Sequence, residues 1–238
     1  GEGDMGWAAG ARVFSELLGE ESPLRACSLR GNRIGDDAGF SIAGAISRNT
    51  RCATLNLFNN YLTDEAGIKI MDALKLNTIM SSISLANNRL GAGTAAALGA
   101  LLTRYPLDGP LQAARAEAEQ RRQVYNKHAA EAAKKGKPDA EPLPELPEVF
   151  PAEAGAEGGG GGGAASASYV RGSATLRLAN LGANAGVDGA AAQALFRSLI
   201  PYKTQLVTTL RGISLSGNPI SEDIAEAFDE FSPIEFYF

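Results

Sequence analysis

A period of 28 residues is the feature of this sequence that most restricts its fold. Three consecutive copies place similar residues at eight positions, which in the first copy are Leu24, Cys27, Leu29, Asn32, Ile34, Gly39, Ile42 and Ile46. The second and third copies start at Cys52 and Met80, and the same internal spacings return from Leu210 to Phe228. Such a repeat indicates units that bury their apolar residues only by stacking on one another.

Each copy has the residue pattern of one strand followed by one helix. Leu55 and Leu57 stand two residues apart, as expected for a strand with one buried face. Ile42 and Ile46 stand four residues apart, as expected on one face of a helix. The sequence therefore predicts an α/β fold built from units of strand, turn and helix.

An asparagine follows the second apolar strand residue by three positions in the well-formed copies. Its side-chain amide both accepts and donates, so it can pair with backbone groups of the neighbouring unit that would otherwise be buried without partners. We therefore predict a structural asparagine ladder formed by Asn32, Asn60, Asn88 and Asn218.

A weaker copy precedes the last one. Leu176 and Leu178 are predicted to form its strand, and Leu195 and Leu199 its helix. Leu178 and Leu195 are 17 residues apart, against 13 for the equivalent pair in the second copy, so we expect a turn with about four extra residues. This assignment leaves the weaker copy without an asparagine at the ladder position.

Over residues 11–104 and 173–231, these repeats resemble the ribonuclease-inhibitor-type leucine-rich-repeat family. The resemblance implies a short horseshoe-shaped solenoid with parallel strands on its concave face and helices on its convex face. Residues 1–104 would then hold a partial first repeat and three more. Residues 173–238 would hold the degenerate fourth repeat, the fifth repeat and a C-terminal cap.

Residues 105–172 interrupt the repeats. Leu85 to Leu178 spans 93 residues, of which one period accounts for 28, so about 65 residues are inserted. Residues 111–135 lack Gly and Pro and are predicted to form a charged helix, followed by an extended Pro-rich acidic segment and a flexible Gly-rich linker. One interpretation is a solvated surface excursion. The other is an arm that binds an acidic surface through Arg121, Arg122, Lys127, Lys134 and Lys135.

Charge and composition argue against several classes of partner. The 22 basic and 27 acidic residues give a net charge of -5, so nucleic acid is not an expected partner. No apolar run is long enough to cross a membrane, so we expect no membrane partner. The two cysteines, Cys27 and Cys52, are too few for a disulfide framework and favour an intracellular protein.

The sequence offers no convergent set of catalytic, cofactor-binding or metal-ligating residues. Its one histidine, His128, falls in the insertion. Residues 91–96, Gly-Ala-Gly-Thr-Ala-Ala, imitate a dinucleotide-binding turn, but the repeat already explains them. Asp36 and Asp64 lie near predicted helix starts and are interpreted as capping residues. We therefore expect no enzymatic activity, no cofactor and no metal.

Residues between the strand leucines are predicted to line the concave face. They are Ser28 and Arg30, Asn56 and Phe58, Ser84 and Ala86, Arg177 and Ala179, and Ser214 and Ser216. Most are small, but arginine and aromatic residues are enriched in interface hot spots, so Arg30, Phe58 and Arg177 are candidate partner-binding residues. The alternative is that Phe58 is an ordinary exposed side chain.

These features predict a non-catalytic scaffold or adaptor that binds other proteins of a multi-subunit complex. The resemblance suggests a ciliary or flagellar axoneme, because subunits of radial spokes and of the nexin-dynein regulatory complex use this repeat class. The Ala- and Gly-rich insertion is similar to those of green algal proteins. Axonemal subunits or tubulin would be the partners, in the cytoplasm and cytoskeleton.

Two alternative functions stay open. One is a regulator similar to the GTPase-activating proteins of the small GTPase Ran, although that family has more repeats and a long acidic tail. The other is the sensor repeats of an innate immune receptor, which would require an upstream ATPase module.

Overall fold

A computed structural model describes residues 13, 16–20, 22–135, 142–150, 168–173, 175–231 and 234–238 of the chain. It is a mixed α/β structure. In chain order, the strands of these residues are β1 (Ala26–Ser28), β2 (Thr54–Asn56), β3 (Ser82–Ser84), β4 (Arg104–Pro106), β5 (Val149–Phe150), β6 (Tyr169–Arg171), β7 (Leu178–Asn180), β8 (Gly212–Ser214) and β9 (Glu235–Tyr237).

The helices fall between these strands. They are α1 (Asp36–Ile46), α2 (Asp64–Leu74), α3 (Ala92–Leu102), α4 (Gly109–Lys134), α5 (Gly189–Leu199), α6 (Lys203–Thr209) and α7 (Glu222–Ala227), with short 3-10 turns at Ile200–Tyr202 and Phe228–Phe231. Among the described residues, no helix combines the length and the apolar character needed to span a membrane.

The larger sheet is parallel and has the strand order β1-β2-β3-β7-β8-β9. Ala26 pairs with Thr54, and Thr54 pairs with Ser82, so residues 28 positions apart lie side by side. The helices α1, α2, α3 and α5 each have 11 residues and pack in sequence against their neighbours. One strand and one helix therefore recur with the period of the sequence.

Burial alternates along the strands, as the apolar pattern predicts. Leu55 and Leu57 are fully buried beneath the helices, whereas Asn56 between them is partly exposed. The helices approach closely because of small residues at their starts: a Cβ added to Gly39 would lie 2.8 Å from the Cβ of Ala66 on the next helix. A larger residue at this position would push adjacent helices apart.

The residues predicted to form a C-terminal cap contribute the last strand of the larger sheet. Phe236 of β9 packs on the rings of Phe228 and Phe231, with centroid distances of 4.6 and 5.7 Å. Phe196 of α5 contacts the same two rings. Aromatic packing therefore closes this side of the core.

The predicted strand of the weaker copy is wrong by three residues. Ile83 of β3 pairs with Ala179, which is buried, while Leu178 is 48% exposed. Leu181 is fully buried at the position that Leu85 has in the preceding unit. The buried residues of this strand are therefore Ala179 and Leu181. Because Ala179 is small, a pattern of two leucines does not identify this pair.

The corrected register also shortens the turn that precedes α5. Leu181 and Leu195 are 14 residues apart, and the equivalent Leu85 and Leu98 are 13 apart. The turn therefore carries one extra residue, and the expectation of about four is wrong.

The insertion contains a helix and a small sheet. The helix α4 starts at Gly109, where the Asp108 side chain accepts a hydrogen bond from the backbone N–H of Leu111 at 2.9 Å. Pro110 in the first turn favours this start, since it has no N–H to leave unpaired. Of the predicted features of the insertion, the hexaglycine part of the linker lies outside the described residues.

Polar contacts join α4 to the Pro-rich segment of the insertion and to the residues that precede β3. Ala129 is its one buried residue. The Arg122 Nη2 donates to the Thr78 hydroxyl at 2.7 Å, and the Arg122 Nε donates to the carbonyl oxygen of Pro144. The backbone N–H of Leu143 donates to the Asn126 Oδ1 at 2.7 Å. The helix thus lies beside the turn that leads into β3.

The small sheet is antiparallel, with the strand order β4-β6-β5. Tyr105 and Val170 are buried on one side of it, and the Tyr105 hydroxyl donates to the carbonyl oxygen of Lys75 at 2.6 Å. The backbone N–H of Gly172 donates to the Thr103 carbonyl oxygen at 2.7 Å. The insertion therefore leaves the repeats and rejoins them at adjacent residues.

Candidate protein-binding face

One face of the larger sheet is not covered by the helices, and we call it the open face. Its residues form three rows across the strands. The rows are Ala26, Thr54, Ser82, Leu178, Gly212 and Glu235; Ser28, Asn56, Ser84, Asn180, Ser214 and Tyr237; and Arg30, Phe58, Ala86, Gly182 and Ser216.

Arginine and aromatic side chains are stacked at one end of the open face. The Arg30 guanidinium carbon lies 4.3 Å from the Phe58 ring centroid, within cation–π distance. Arg89 lies 4.8 Å from the ring of Tyr61, which is 46% exposed at the adjoining edge. Stacking limits the rotamers of both arginines, so less conformational entropy is lost when a partner binds.

This end of the face is also positively charged. Residues 22–35, 51–63 and 79–91, which comprise β1 to β3 and their flanking turns, contain five arginines and no acidic residue. Three of the five are Arg30, Arg33 and Arg89, all exposed. These strand segments therefore carry a positive charge, although the net charge of the chain is -5.

The other end of the open face carries two large, exposed side chains among smaller polar ones. Leu178 and Tyr237 are 48% and 50% exposed. They flank Gly212, where an added Cβ would lie 3.5 Å from the Tyr237 ring and 3.6 Å from a Leu178 methyl group. Leu178 was not among the predicted partner-binding residues, because the register placed it in the core. In the corrected register, its large apolar side chain is exposed on the open face, which makes Leu178 a candidate for contact with a partner.

Arg177 does not lie on the open face where the sequence placed it. It precedes β7, and its carbonyl oxygen accepts hydrogen bonds from the backbone N–H groups of Arg211 and Gly212 at 2.8 and 3.1 Å. The predicted pairing of Arg177 with Ala179 in the groove is wrong, because Ala179 faces the core. Asn180 and Gly182 occupy the groove positions of this unit.

Asparagine side chains join successive units beneath one edge of the open face. The Asn60 Oδ1 accepts from the backbone N–H groups of Asn32 and Ile34, each at 3.0 Å. Its Nδ2 donates to the carbonyl oxygens of Leu29 and Leu57 at 3.0 and 2.8 Å. One amide therefore satisfies backbone groups of two units at once.

The other predicted asparagines are placed along the same line with different numbers of partners. The Asn88 Nδ2 donates to Leu57 and Leu85, and its Oδ1 accepts from Leu62. The Asn218 Oδ1 accepts from the Asn184 N–H at 2.6 Å. The side chain of the exposed Asn32 donates to the nearby Arg30 carbonyl oxygen and, among the described residues, to no backbone group of another unit. The contribution of these residues to stability should therefore be unequal.

Asn184 occupies the ladder position that the sequence left empty. It is fully buried, and its Oδ1 accepts from the N–H groups of Asn88 and Leu90 at 3.0 and 3.1 Å. Its Nδ2 donates to the carbonyl oxygens of Leu85 and Leu181. The expectation of no asparagine in this unit is wrong, and the spacing of three residues from Leu181 to Asn184 was the available signal.

The basic residues predicted on the insertion helix differ in their exposure. Arg122 is half-buried against Thr78 and Pro144, and this burial lowers the pKa of its guanidinium. Arg121 lies 3.9 Å from Glu117. Lys127, Lys134 and Lys135 are exposed. Arg122 therefore has a docking contact within the chain, and only the lysines are fully presented to solvent.

Acidic residues at helix starts bridge consecutive units. Asp64, in the first turn of α2, accepts hydrogen bonds from the backbone N–H groups of Gly91, Gly93 and Thr94 at 2.8 to 2.9 Å. It also accepts from the Thr94 hydroxyl at 2.6 Å. Burial alone raises the pKa of this carboxyl, but the four hydrogen bonds outweigh burial and lower it.

The glycine motif at residues 91–96 is thereby explained without a nucleotide. The Asp64 carboxylate occupies the space at the start of α3 where a dinucleotide site would hold its phosphate. A Cβ on Gly93 would lie 2.8 Å from the Asp64 Oδ2. Across the described part of the chain, no three His, Cys, Asp or Glu residues come together as a metal site.

Comparison with known proteins adds no assignment to this geometry. No protein-family model matches the chain, and a search of curated proteins returns no match.

Proposed function

We propose that the chain is a non-catalytic protein-interaction scaffold of the ribonuclease-inhibitor-type leucine-rich-repeat class. The support for the repeat class is the strand register, which advances by 28 residues over β1, β2 and β3. Asparagine side chains that bind backbone groups of the adjacent unit add to this support. The described strands are short and carry small polar side chains, which offer a broad surface for a partner protein.

The observation that carries the binding proposal is the Arg30–Phe58 pair on the open face. The two side chains are stacked at 4.3 Å, and the strand segments 22–35, 51–63 and 79–91 around them contain no acidic residue in sequence. Ser28, Asn56 and Ser84 beside them are short, so Arg30 and Phe58 stand above their surroundings. A partner would bury the ring and place an acidic or polar group on the guanidinium.

Variants of the open face test this proposal in cells that express the protein. Tagged wild-type protein, Phe58→Ala and Arg30→Gln would be recovered, and their stable neighbours quantified by mass spectrometry. We expect Phe58→Ala to weaken capture of at least one neighbour by about 1 kcal/mol or more, roughly fivefold. Thermal stability should change little, because the ring is not part of the core.

Arg197→Gln is the matched control, because Arg197 is exposed on α5, away from the open face. If Phe58→Ala, Arg30→Gln and Arg197→Gln all retain the same neighbours in the same amounts, the open face is not the binding surface.

The proposed setting is a ciliary or flagellar axoneme, and this placement rests on the resemblance of the repeats and the insertion. The same recovered neighbours test it. Axonemal subunits or tubulin among the neighbours that depend on Phe58 would support the placement. A set of neighbours without any cytoskeletal protein would remove it and leave the scaffold proposal in place.

A further inference from the structure

The insertion presents a second surface, which is independent of the open face. We call the outward side of the small sheet the insertion face, and it consists of Arg104, Pro106, Phe150, Tyr169 and Arg171. The opposite side carries the buried Tyr105 and Val170. The alternation along β4 and β6 therefore directs apolar residues inward and places arginines and aromatic residues outward.

Each arginine of this face lies against aromatic rings. The Arg171 guanidinium carbon is 5.2 Å from the centroid of Phe150. That of Arg104 is 4.9 Å from Tyr169 and 5.8 Å from Tyr202. Phe150 is 37% exposed and Arg104 and Arg171 are exposed, so this layer of cations and rings is accessible to a partner.

The two arginines lie directly opposite each other on adjacent strands. Arg104 pairs with Arg171 in the register of β4 and β6. Cross-strand neighbours have Cβ atoms about 4.5 to 5.5 Å apart, and like charges at this distance destabilise a sheet. Within the described residues, one carboxylate offsets them: the Glu148 Oε2 lies 3.6 Å from the Arg171 Nη1. Arg104 has no such counter-ion in the described chain.

We propose that the insertion face docks a carboxylate-rich segment of a partner protein, with one carboxylate bridging Arg104 and Arg171 and an aromatic neighbour packed on Phe150 and Tyr169. The bridging carboxylate relieves the repulsion between the paired guanidinium groups. The rings supply the apolar contact area that a purely ionic site lacks. The chain then offers two docking surfaces, as an adaptor requires.

A copolymer of glutamate and tyrosine is a suitable probe, because it carries both chemical groups. The protein for the assay is the full chain with Arg30→Gln, Phe58→Ala and Arg89→Gln, so that neither arginine–aromatic pair of the open face remains. If the copolymer does not bind this variant, the open-face proposal is unaffected. If the open-face proposal fails, this assay still tests the insertion face. Binding of the labelled copolymer is followed by fluorescence anisotropy at constant salt.

Arg104→Gln or Arg171→Gln should each weaken binding of the copolymer at least about fivefold. Arg197→Gln, the matched loss of one exposed positive charge on α5, should change it less than about twofold. Equal losses for Arg104→Gln and Arg197→Gln would overturn the proposal, because attraction would then follow net charge alone. Circular dichroism melts confirm that each variant is folded.

Glu148→Gln provides a test of opposite sign. Because Glu148 competes with the incoming carboxylate for Arg171, its neutralisation should tighten binding about twofold to threefold. Glu65→Gln, at an exposed position on α2, is the matched control and should have a smaller effect. Weaker binding by Glu148→Gln would show that Glu148 and Arg171 only hold the small sheet together, and the proposal would fail. Polyglutamate should bind more weakly than the copolymer, and equal affinity would also overturn it.

Discussion

Replacement of Asn184 by alanine tests the link between the two parts of the larger sheet that the insertion separates in sequence. Asn184 is fully buried, and its Oδ1 is the acceptor for the N–H groups of Asn88 and Leu90. Its Nδ2 serves carbonyl oxygens of Leu85 and Leu181. The side chain therefore connects β3 and its following turn to β7, across the point where the insertion interrupts the chain.

The size of the effect follows from these contacts. Alanine leaves two backbone N–H groups without an acceptor, of which that of Leu90 is buried. A buried unpaired donor costs about 1 to 3 kcal/mol, and the second, partly solvated donor costs less. We expect Asn184→Ala to lower the free energy of unfolding by about 3 kcal/mol in total. For a chain of this size, that loss lowers the melting temperature by about 6 to 12 °C.

Alanine variants of three asparagines that differ in burial should lose different amounts of stability. Asn60→Ala should cost nearly as much as Asn184→Ala, since Asn60 is 3% exposed and has the same bonds. Asn32→Ala should cost less than about 0.5 kcal/mol, because Asn32 is exposed. Urea titrations with a shared slope would give the three values. If Asn184→Ala and Asn32→Ala unfold at the same urea concentration, the hydrogen-bond reasoning is refuted.

Three further predictions concern backbone strain, charge and docking. Ala183 has a φ of 52°, a region that glycine adopts at lower cost, so Ala183→Gly should stabilise the protein by about 0.5 to 1 kcal/mol in urea titrations, and no gain would refute the strain. Asp64→Asn should cost about 2 kcal/mol at pH 7. Folding lowers the pKa of Asp64. The ionised carboxylate therefore stabilises the fold above the ordinary aspartate pKa of about 3.9, and this stabilisation is lost as the pH falls through the pKa of the folded state. Melts should therefore show the difference from wild type shrinking below about pH 4, and a constant difference would contradict the assignment. Arg122→Gln should increase hydrogen exchange in α4 and leave the melting temperature within about 2 °C, whereas Arg121→Gln should change exchange little.

The sequence was sufficient for the parts of the fold that repeat locally. The 28-residue period correctly placed the strand residues Leu55 and Ile83, which are paired in the sheet. The Ala-, Glu- and Arg-rich composition of residues 111–135 correctly indicated a helix, observed at Gly109–Lys134. In each case, the interactions that determine the strand or helix join residues of the same unit or of two neighbouring units.

Features that depend on distant pairing or on small residues were missed. The strands β4 and β6 have three residues each and pair Arg104 with Arg171, which no local pattern predicts. Ala179 fills an inner position where other units have larger residues, so the leucine pattern indicates Leu178 as the buried residue in its place. The placement of Arg177 and the omission of Asn184 both follow from that single shift in register.

The position of the insertion has a consequence for how the chain is made. The hydrogen bond between the backbone of Asn88 and the Asn184 side chain joins residues 96 positions apart, whereas the equivalent bond between Asn32 and Asn60 spans 28. At about 5 to 20 residues per second of synthesis, the ribosome needs about 5 to 20 s to supply that span. During this time β3 is an unpaired edge that can recruit a strand from another chain. Its length of three residues and its two serines, Ser82 and Ser84, limit that hazard until β7 arrives.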